Sequence, residues 1–199
     1  MTRTKHDLRS EATRRALVTA ARALFGTRGY AEVGTEEIVR AAGVTRGALY
    51  HQFRDKADLF AAVAEQIEAE IADRIAAGAA QAADDPLGAL QAGARLFLDA
   101  CAEPEVERII LLDAPAVLGW QAWRDLASRY GLGLVQLALQ SAMDVGTIIP
   151  QPVAPLAHIL IGALDEAALY VARAEDPAAA RQRCAAIIDQ ILRSITTGD

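Results

Sequence analysis

Three times along this chain an acidic residue stands immediately before a proline at the head of an apolar run: Asp85-Pro86, Glu103-Pro104 and Asp176-Pro177. An acid in that position can accept from the free amides of a first helical turn. Proline at the first helical position sacrifices no hydrogen bond, so each junction reads as a helix start. Between these starts apolar residues recur every three or four positions, and no stretch alternates with the period of two that a half-buried strand requires. The chain must therefore close its core with helices alone, an all-α fold. Composition supports this, since 44 of the 199 residues are alanine and only 5% are aromatic. Alanine is the strongest helix former, and strands favour aromatic and β-branched residues.

The spacing predicts about nine helices. Residues 1–10 lack apolar periodicity and read as an arm whose Arg3, Lys5 and Arg9 either follow phosphates or are simply solvated. Ser10 opens a helix over about 11–27, with Leu17, Ala21, Leu24 and Phe25 on one stripe. A long helix capped by Asp55 follows over about 56–82, its stripe running from Leu59 and Phe60 through Val63, Ile67 and Ile71 to Ile75. Further helices are expected over about 86–102, 103–112, 121–145, 155–175 and 177–197. The longest apolar runs are too short or too interrupted to cross a bilayer, and the first ten residues carry no leader-like apolar stretch, so a cytoplasmic protein is expected. Cys101 and Cys184 show no metal-ligand spacing and read as reduced thiols.

Residues 34–53 are the most informative stretch. Gly34 can cap a short helix with Glu37 at its third position, and Ile38, Ala41 and Ala42 form its apolar face. Gly43 ends that helix and turns the chain. Thr45 then caps a second short helix through His51, which presents Arg46, Tyr50 and His51. A helix, a glycine turn and a second short helix make either a DNA-reading helix-turn-helix or a structural αα-hairpin, and spacing admits both. Charge distribution favours the first. Residues 1–60 hold 11 Lys and Arg against 7 Asp and Glu, whereas residues 61–199 hold 9 against 19. A basic head on an acidic body suits a nucleic-acid module joined to a different one. Lys56, at a helix N-terminus where the dipole disfavours a cation, either meets an anion such as phosphate or is an exposed lysine without a partner.

The ordered series Phe25-Gly26-x-x-Gly29-Tyr30, Thr35-Glu36-Glu37-Ile38, Ala42-Gly43-Val44-Thr45-Arg46-Gly47-Ala48-Leu49-Tyr50-His51-Gln52-Phe53 and Lys56-x-x-Leu59-Phe60 resembles the head of the tetracycline-repressor (TetR) family. The resemblance implies a three-helix DNA-binding domain over 1–55 and a helical effector-binding and dimerisation domain over 56–199, reached through the long connecting helix. It implies a homodimer on a palindromic double-stranded operator, with Thr35, Thr45, Arg46, Gly47, Tyr50, His51, Gln52 and Lys56 at the DNA. Arg46 is suited to a bidentate guanine contact, and Leu49 and Phe53 belong to the core. Gly34 and Gln52 depart from the Ser or Thr and the His common at those positions, so operator sequence does not transfer.

By the same resemblance the last two helices pair with their two-fold mates, through Ile161, Leu164, Ala168, Ile187, Ile188, Ile191 and Ile195. An effector pocket between the connecting helix and the body helices would draw on Leu96, Phe97, Leu112, Asp113, Trp120, Trp123 and Leu137. Its scarcity of Lys and Arg suits a small, apolar, neutral or cationic effector. No cofactor, metal or membrane is implied. The function expected is a ligand-responsive repressor, the alternatives being an activator or effector-independent regulator of the same fold. An all-α enzyme is disfavoured, because His6, His51 and His158 are far apart and in no catalytic spacing. Asp84-Asp85 and Asp165-Glu166 read as caps and solvated faces.

Overall fold

Two of the acid–proline junctions close in the way their chemistry dictates. Asp85 Oδ1 accepts from the Gly88 amide at 2.9 Å and Asp176 Oδ1 from the Ala179 amide at 3.0 Å. The computed structural model describes residues 5–82 and 85–197. Its elements are α1 (Lys5–Arg28), α2 (Thr35–Ala41), α3 (Arg46–Gln52), α4 (Lys56–Ala80), α5 (Pro86–Cys101), α6 (Pro104–Val106), a π-helical stretch (Glu107–Asp113), α7 (Ala114–Val117), α8 (Trp120–Asp144), α9 (Val153–Ala172) and α10 (Pro177–Ser194). Counting α6, the π stretch and α7 as one unbroken run gives nine helices among the described residues, and the fold is all-α.

Two local expectations change. The first helix starts at Lys5, not after Ser10. Ser10 does not cap; its hydroxyl accepts from Gln52 Nε2 at 2.8 Å, and the helix runs on through it. Of the basic residues expected in the arm, Arg9 is exposed on α1, while Arg3 and the Lys5 side chain lie outside what is described. The expected helix over 103–112 continues to Val117 and widens to π geometry before Pro115, which has no amide to return to the carbonyl of Leu111.

The chain forms two compact units. One comprises residues 1–67 and 104–122, so the helix-turn-helix shares its unit with the first half of α4 and with the 104–117 run. Its core joins Leu17, Ala21 and Phe25 of α1 to Ile38, Leu49, Phe53, Leu59 and Phe60, all 2% exposed or less. Phe25, Tyr30 and Phe60 form an aromatic triangle with centroids 5.2 to 5.6 Å apart. The 104–117 run is fastened to it by polar contacts. Glu105 takes two hydrogen bonds from Arg22, at 3.0 and 2.8 Å, and Asp113 accepts from the Tyr30 amide at 2.7 Å.

The other unit comprises 68–103 and 123–199. Leu90, Ala94, Leu139, Ala142, Ile148, Ala157, Leu160, Ile188 and Leu192 make its core. An isolated antiparallel bridge, Ile148 to Thr196, ties the α8–α9 loop to the end of α10. Helix α9 is long and apolar enough, by length and composition, to cross a membrane, contrary to the expectation that no segment would be. Its inner face is taken up by this core, with Ala157, Leu160, Ile161, Ala168 and Leu169 all buried. That same face carries Asp165, ion-paired with Arg124 of α8.

Candidate functional site

Helix α2 begins at Gly34 with no side-chain cap, and the turn after it is closed by Gly43 at φ +66°. Only glycine adopts that left-handed conformation without strain. The Val44 amide returns to the Val39 carbonyl at 3.0 Å, and Thr45 Oγ1 caps α3 by accepting from the Ala48 amide at 3.2 Å. Helix α3 then divides by its period. Leu49 and, just past the end, Phe53 are buried, while Arg46, Gly47, Tyr50 and His51 are exposed.

The exposed face of α3 makes only weak contacts within the chain. Arg46 lies 3.5 Å from Glu36 Oε1 and 5.7 Å from the Tyr50 ring centroid, with 64% of its side chain exposed. Such exposed pairs are weak and readily exchanged. Gly47 has an ordinary helical φ, and a Cβ added there would meet nothing nearer than 3.9 Å. Nothing inside the molecule requires that glycine, although it costs helix stability relative to alanine. Beside this face, Arg9, Ser10 and Thr13 of α1 line a shallow groove with Ala48, His51 and Gln52. In sequence Ser10 reads as a helix cap, and no local signal marks Ser10 or Thr13 as lining this groove.

Besides Thr45, which caps α3, two of the expected contact residues are engaged internally. Gln52 is half-buried and holds Ser10. Lys56 donates to the Tyr30 and Val33 carbonyls at 2.9 and 3.0 Å, and its Nζ lies 3.9 Å over the Tyr30 ring. The ammonium thus satisfies loop carbonyls that no helix amide can reach. The choice between phosphate and solvent left this third option out. Thr35 is half-buried at the start of α2.

The second site is a partly open cavity of ≈ 140 Å³ lined by α4, α5, α8, α9 and α10 of the second unit. Its walls are almost wholly apolar, from Ile71, Ile75, Leu90, Phe97, Leu134, Ile161 and Ile188. Two carboxyl groups interrupt them. Glu68 is 6% exposed and Asp165 5%. Asp165 is met by Arg124, but no hydrogen bond to Glu68 is found among the described residues. Burial, reinforced by the Asp165 charge, pushes the Glu68 carboxyl up to about 7. Burial raises Asp165 to about 6 against the opposing pull of Arg124. The Cys101 thiol is also pushed well up, by burial first and then by Glu68.

Of the residues expected at a pocket, only Phe97 lines this one. Leu96 packs on the α4 backbone at Gly78, Trp123 is core at 2% exposure, and Leu137 is 71% exposed. Leu112, Asp113 and Trp120 belong to the other unit: Leu112 and Trp120 are 43% and 59% exposed, and Asp113 holds the Tyr30 amide. The π stretch causes part of this, since it sets Ile109, Ile110 and Leu111 inward and Leu112 outward. Asp165, expected in a solvated face, is buried because it stands one turn after Ile161 on the inner side of α9. A charge at apolar spacing was the available signal for both acids: Glu68 follows Ala64 by four residues, and Asp165 follows Ile161 by four.

The expected dimer residues also separate. Ile161, Ala168 and Ile188 are buried within the unit, Leu164 lines the cavity, and Ile195 packs on the core. Ile187 and Ile191 are exposed at 56% and 39%, and α9 adds Ile159 and Tyr170 at 68% and 56%. Both cysteines are free thiols.

Residues 17–63 match the family described as bacterial regulatory proteins, tetR family, and residues 87–195 match the tetracyclin repressor-like C-terminal domain. A TetR-family transcriptional regulator from Pectobacterium atrosepticum has a TM-score of 0.86 at 35% identity, over 98% of this chain and 99% of that one. RolR, solved with resorcinol, shares the fold at a TM-score of 0.75 and 22% identity, over 94% of each chain. The chain is 33% identical over 102 residues to the HTH-type transcriptional regulator AcrR of Shigella flexneri, 51% of this chain and 47% of that protein. It is 38% identical over 90 residues to TtgR of Pseudomonas putida, 45% of this chain and 41% of that protein. The chain therefore spans less than half the length of these curated relatives. With both halves matched in order on an all-α fold that carries an outward-facing recognition helix, the chain belongs to the TetR family of bacterial transcriptional regulators.

Proposed function

We propose that this protein binds a palindromic operator as a homodimer and represses transcription until a small effector occupies the cavity of the second unit. The observation that carries the reading is the division of α3. Its structural residues are buried, while Arg46, Gly47, Tyr50 and His51 face outward with no internal task that needs Gly47. A helix with that face fits a major groove, where Arg46 can exchange its weak pair with Glu36 for a guanine edge and Gly47 lets backbone approach. Lys56 serves by fixing the loop before α2 through the Tyr30 and Val33 carbonyls.

Dimerisation is supported by the outer faces of α9 and α10. The exposed side of α9 carries Ile159 and Tyr170 among His158 and Glu166, and exposed large apolar groups of this kind suit a second partner. Ile159, Tyr170, Ile187 and Ile191 supply that partner face. An effector acts by binding the DNA-incompetent arrangement more tightly than the competent one. The test is a footprint on the DNA upstream of the protein's own gene, across a salt series. A protected two-fold site whose affinity falls with salt is expected; absence of any protected site refutes the reading.

A further inference from the structure

The cavity holds an imbalance of charge that indicates what it binds. Asp165 has its cation in Arg124. Glu68 has neither a cation nor a hydrogen bond among the described residues, yet it is 6% exposed and lines a largely apolar cavity. A buried carboxyl without a partner is costly in either protonation state, and one positive charge placed beside it removes that cost. We propose that the cavity is a site for small lipophilic amines bound as monocations, with Glu68 as the carboxylate that receives the ammonium group and Ile71, Phe97 and Ile161 holding the hydrocarbon body. The inference rests on the regulatory reading above for its purpose, but not for its evidence.

Size and charge agree. At ≈ 140 Å³ the cavity is close to the volume of about 150 Å³ at which an apolar protein cavity accepts benzene. One ring or a short alkyl chain with one charged end therefore fits. A monocation brings Glu68, Asp165, Arg124 and the ligand to neutrality, whereas an anion would face two acids and a single guanidinium. The other titratable groups around Glu68 are the Cys101 thiol on α5 and the Tyr130 phenol on α8; α10 contributes only apolar residues to the wall. Because burial keeps the Glu68 carboxyl near 7, an ammonium ligand must displace its proton at lower pH.

The test measures binding of benzylamine, hexylamine, toluene, benzyl alcohol and benzoate to the full-length protein by calorimetry, at several pH values and in buffers of different ionisation enthalpy. Amines are expected to bind more tightly than their neutral isosteres and to release a proton below neutral pH. Their affinity should weaken roughly tenfold per unit as pH falls below the Glu68 midpoint. Glu68→Gln should lose the preference for amine over toluene and its pH dependence, and Glu68→Met, apolar and similar in length, should do the same. The proposal is overturned if no amine exceeds its neutral isostere, if affinity falls as pH rises, or if both variants keep the wild-type preference. Operator retention is measured alongside with the same compounds. Amines that bind as stated without loosening the operator refute the regulatory reading and leave the site assignment standing. Operator release by neutral compounds alone does the reverse.

Discussion

Replacing Glu68 with glutamine should make the protein more stable at mildly alkaline pH and leave it unchanged at acid pH. In the folded protein the carboxyl titrates at about 7 against an ordinary 4.5. The folded state therefore holds the proton more tightly than the unfolded chain, and the sign follows. Below the ordinary value both states are protonated and no stability is lost. Between the two values the unfolded chain ionises first and stability falls as pH rises; above the higher value the loss is complete and constant. At about 1.4 kcal/mol per unit, the full loss is about 3 kcal/mol. Glutamine imitates the protonated acid at every pH, so the variant escapes it. For a chain of this length each kcal/mol moves the melting temperature by about 2–4 °C, giving a gain of about 6–12 °C at about pH 8. Asp165, raised to about 6 by its own burial, titrates in both proteins and largely cancels in the difference. The assay is urea unfolding of both proteins followed by circular dichroism from about pH 4.5 to about pH 8, with stability extrapolated linearly to water. A difference independent of pH, or a variant less stable at the alkaline end, would show that Glu68 is not a strained buried acid.

Arg46→Ala should weaken specific operator binding by about 1–3 kcal/mol per half-site with the dimer intact, measured by fluorescence anisotropy on operator and scrambled DNA; equal losses on both would place Arg46 on the backbone instead. Gly47→Leu should raise stability by up to about 1 kcal/mol, because the site is exposed and a Cβ there meets nothing nearer than 3.9 Å, yet abolish operator binding. Retained binding in that variant would remove the argument for close backbone approach. Ile187→Glu combined with Ile191→Glu should give a folded monomer by sedimentation, since both side chains are exposed in the single chain; a persistent dimer would place the interface elsewhere. Lys56→Ala should destabilise the head by about 1–3 kcal/mol through the bonds lost to the Val33 and Tyr30 carbonyls, of which the second keeps only the Val33 amide at 3.4 Å, read by thermal unfolding without DNA.

The sequence by itself determined the helices and their order, because caps, acid–proline starts and apolar stripes are local signals. It also separated the two faces of α3: a helix as short as 46–52 has one inward side, and Leu49 fixes it. Periodicity could not say which of several neighbours a given side chain would meet. The sequence allowed Lys56 a phosphate or solvent, and the fold placed the carbonyls of Tyr30 and Val33 against it. Asp113 and Trp120 shortly precede Trp123 in sequence yet belong to a different compact unit, because the chain passes from one unit to the next between residues 122 and 123. Only the tertiary structure brought Glu68 and Asp165, 97 positions apart, to one apolar chamber. In sequence Asp165 reads as part of a solvated face, and Glu68 is marked only by its apolar spacing. Their shared exclusion from water, a property of packing and not of either helix, is what makes them chemically distinctive.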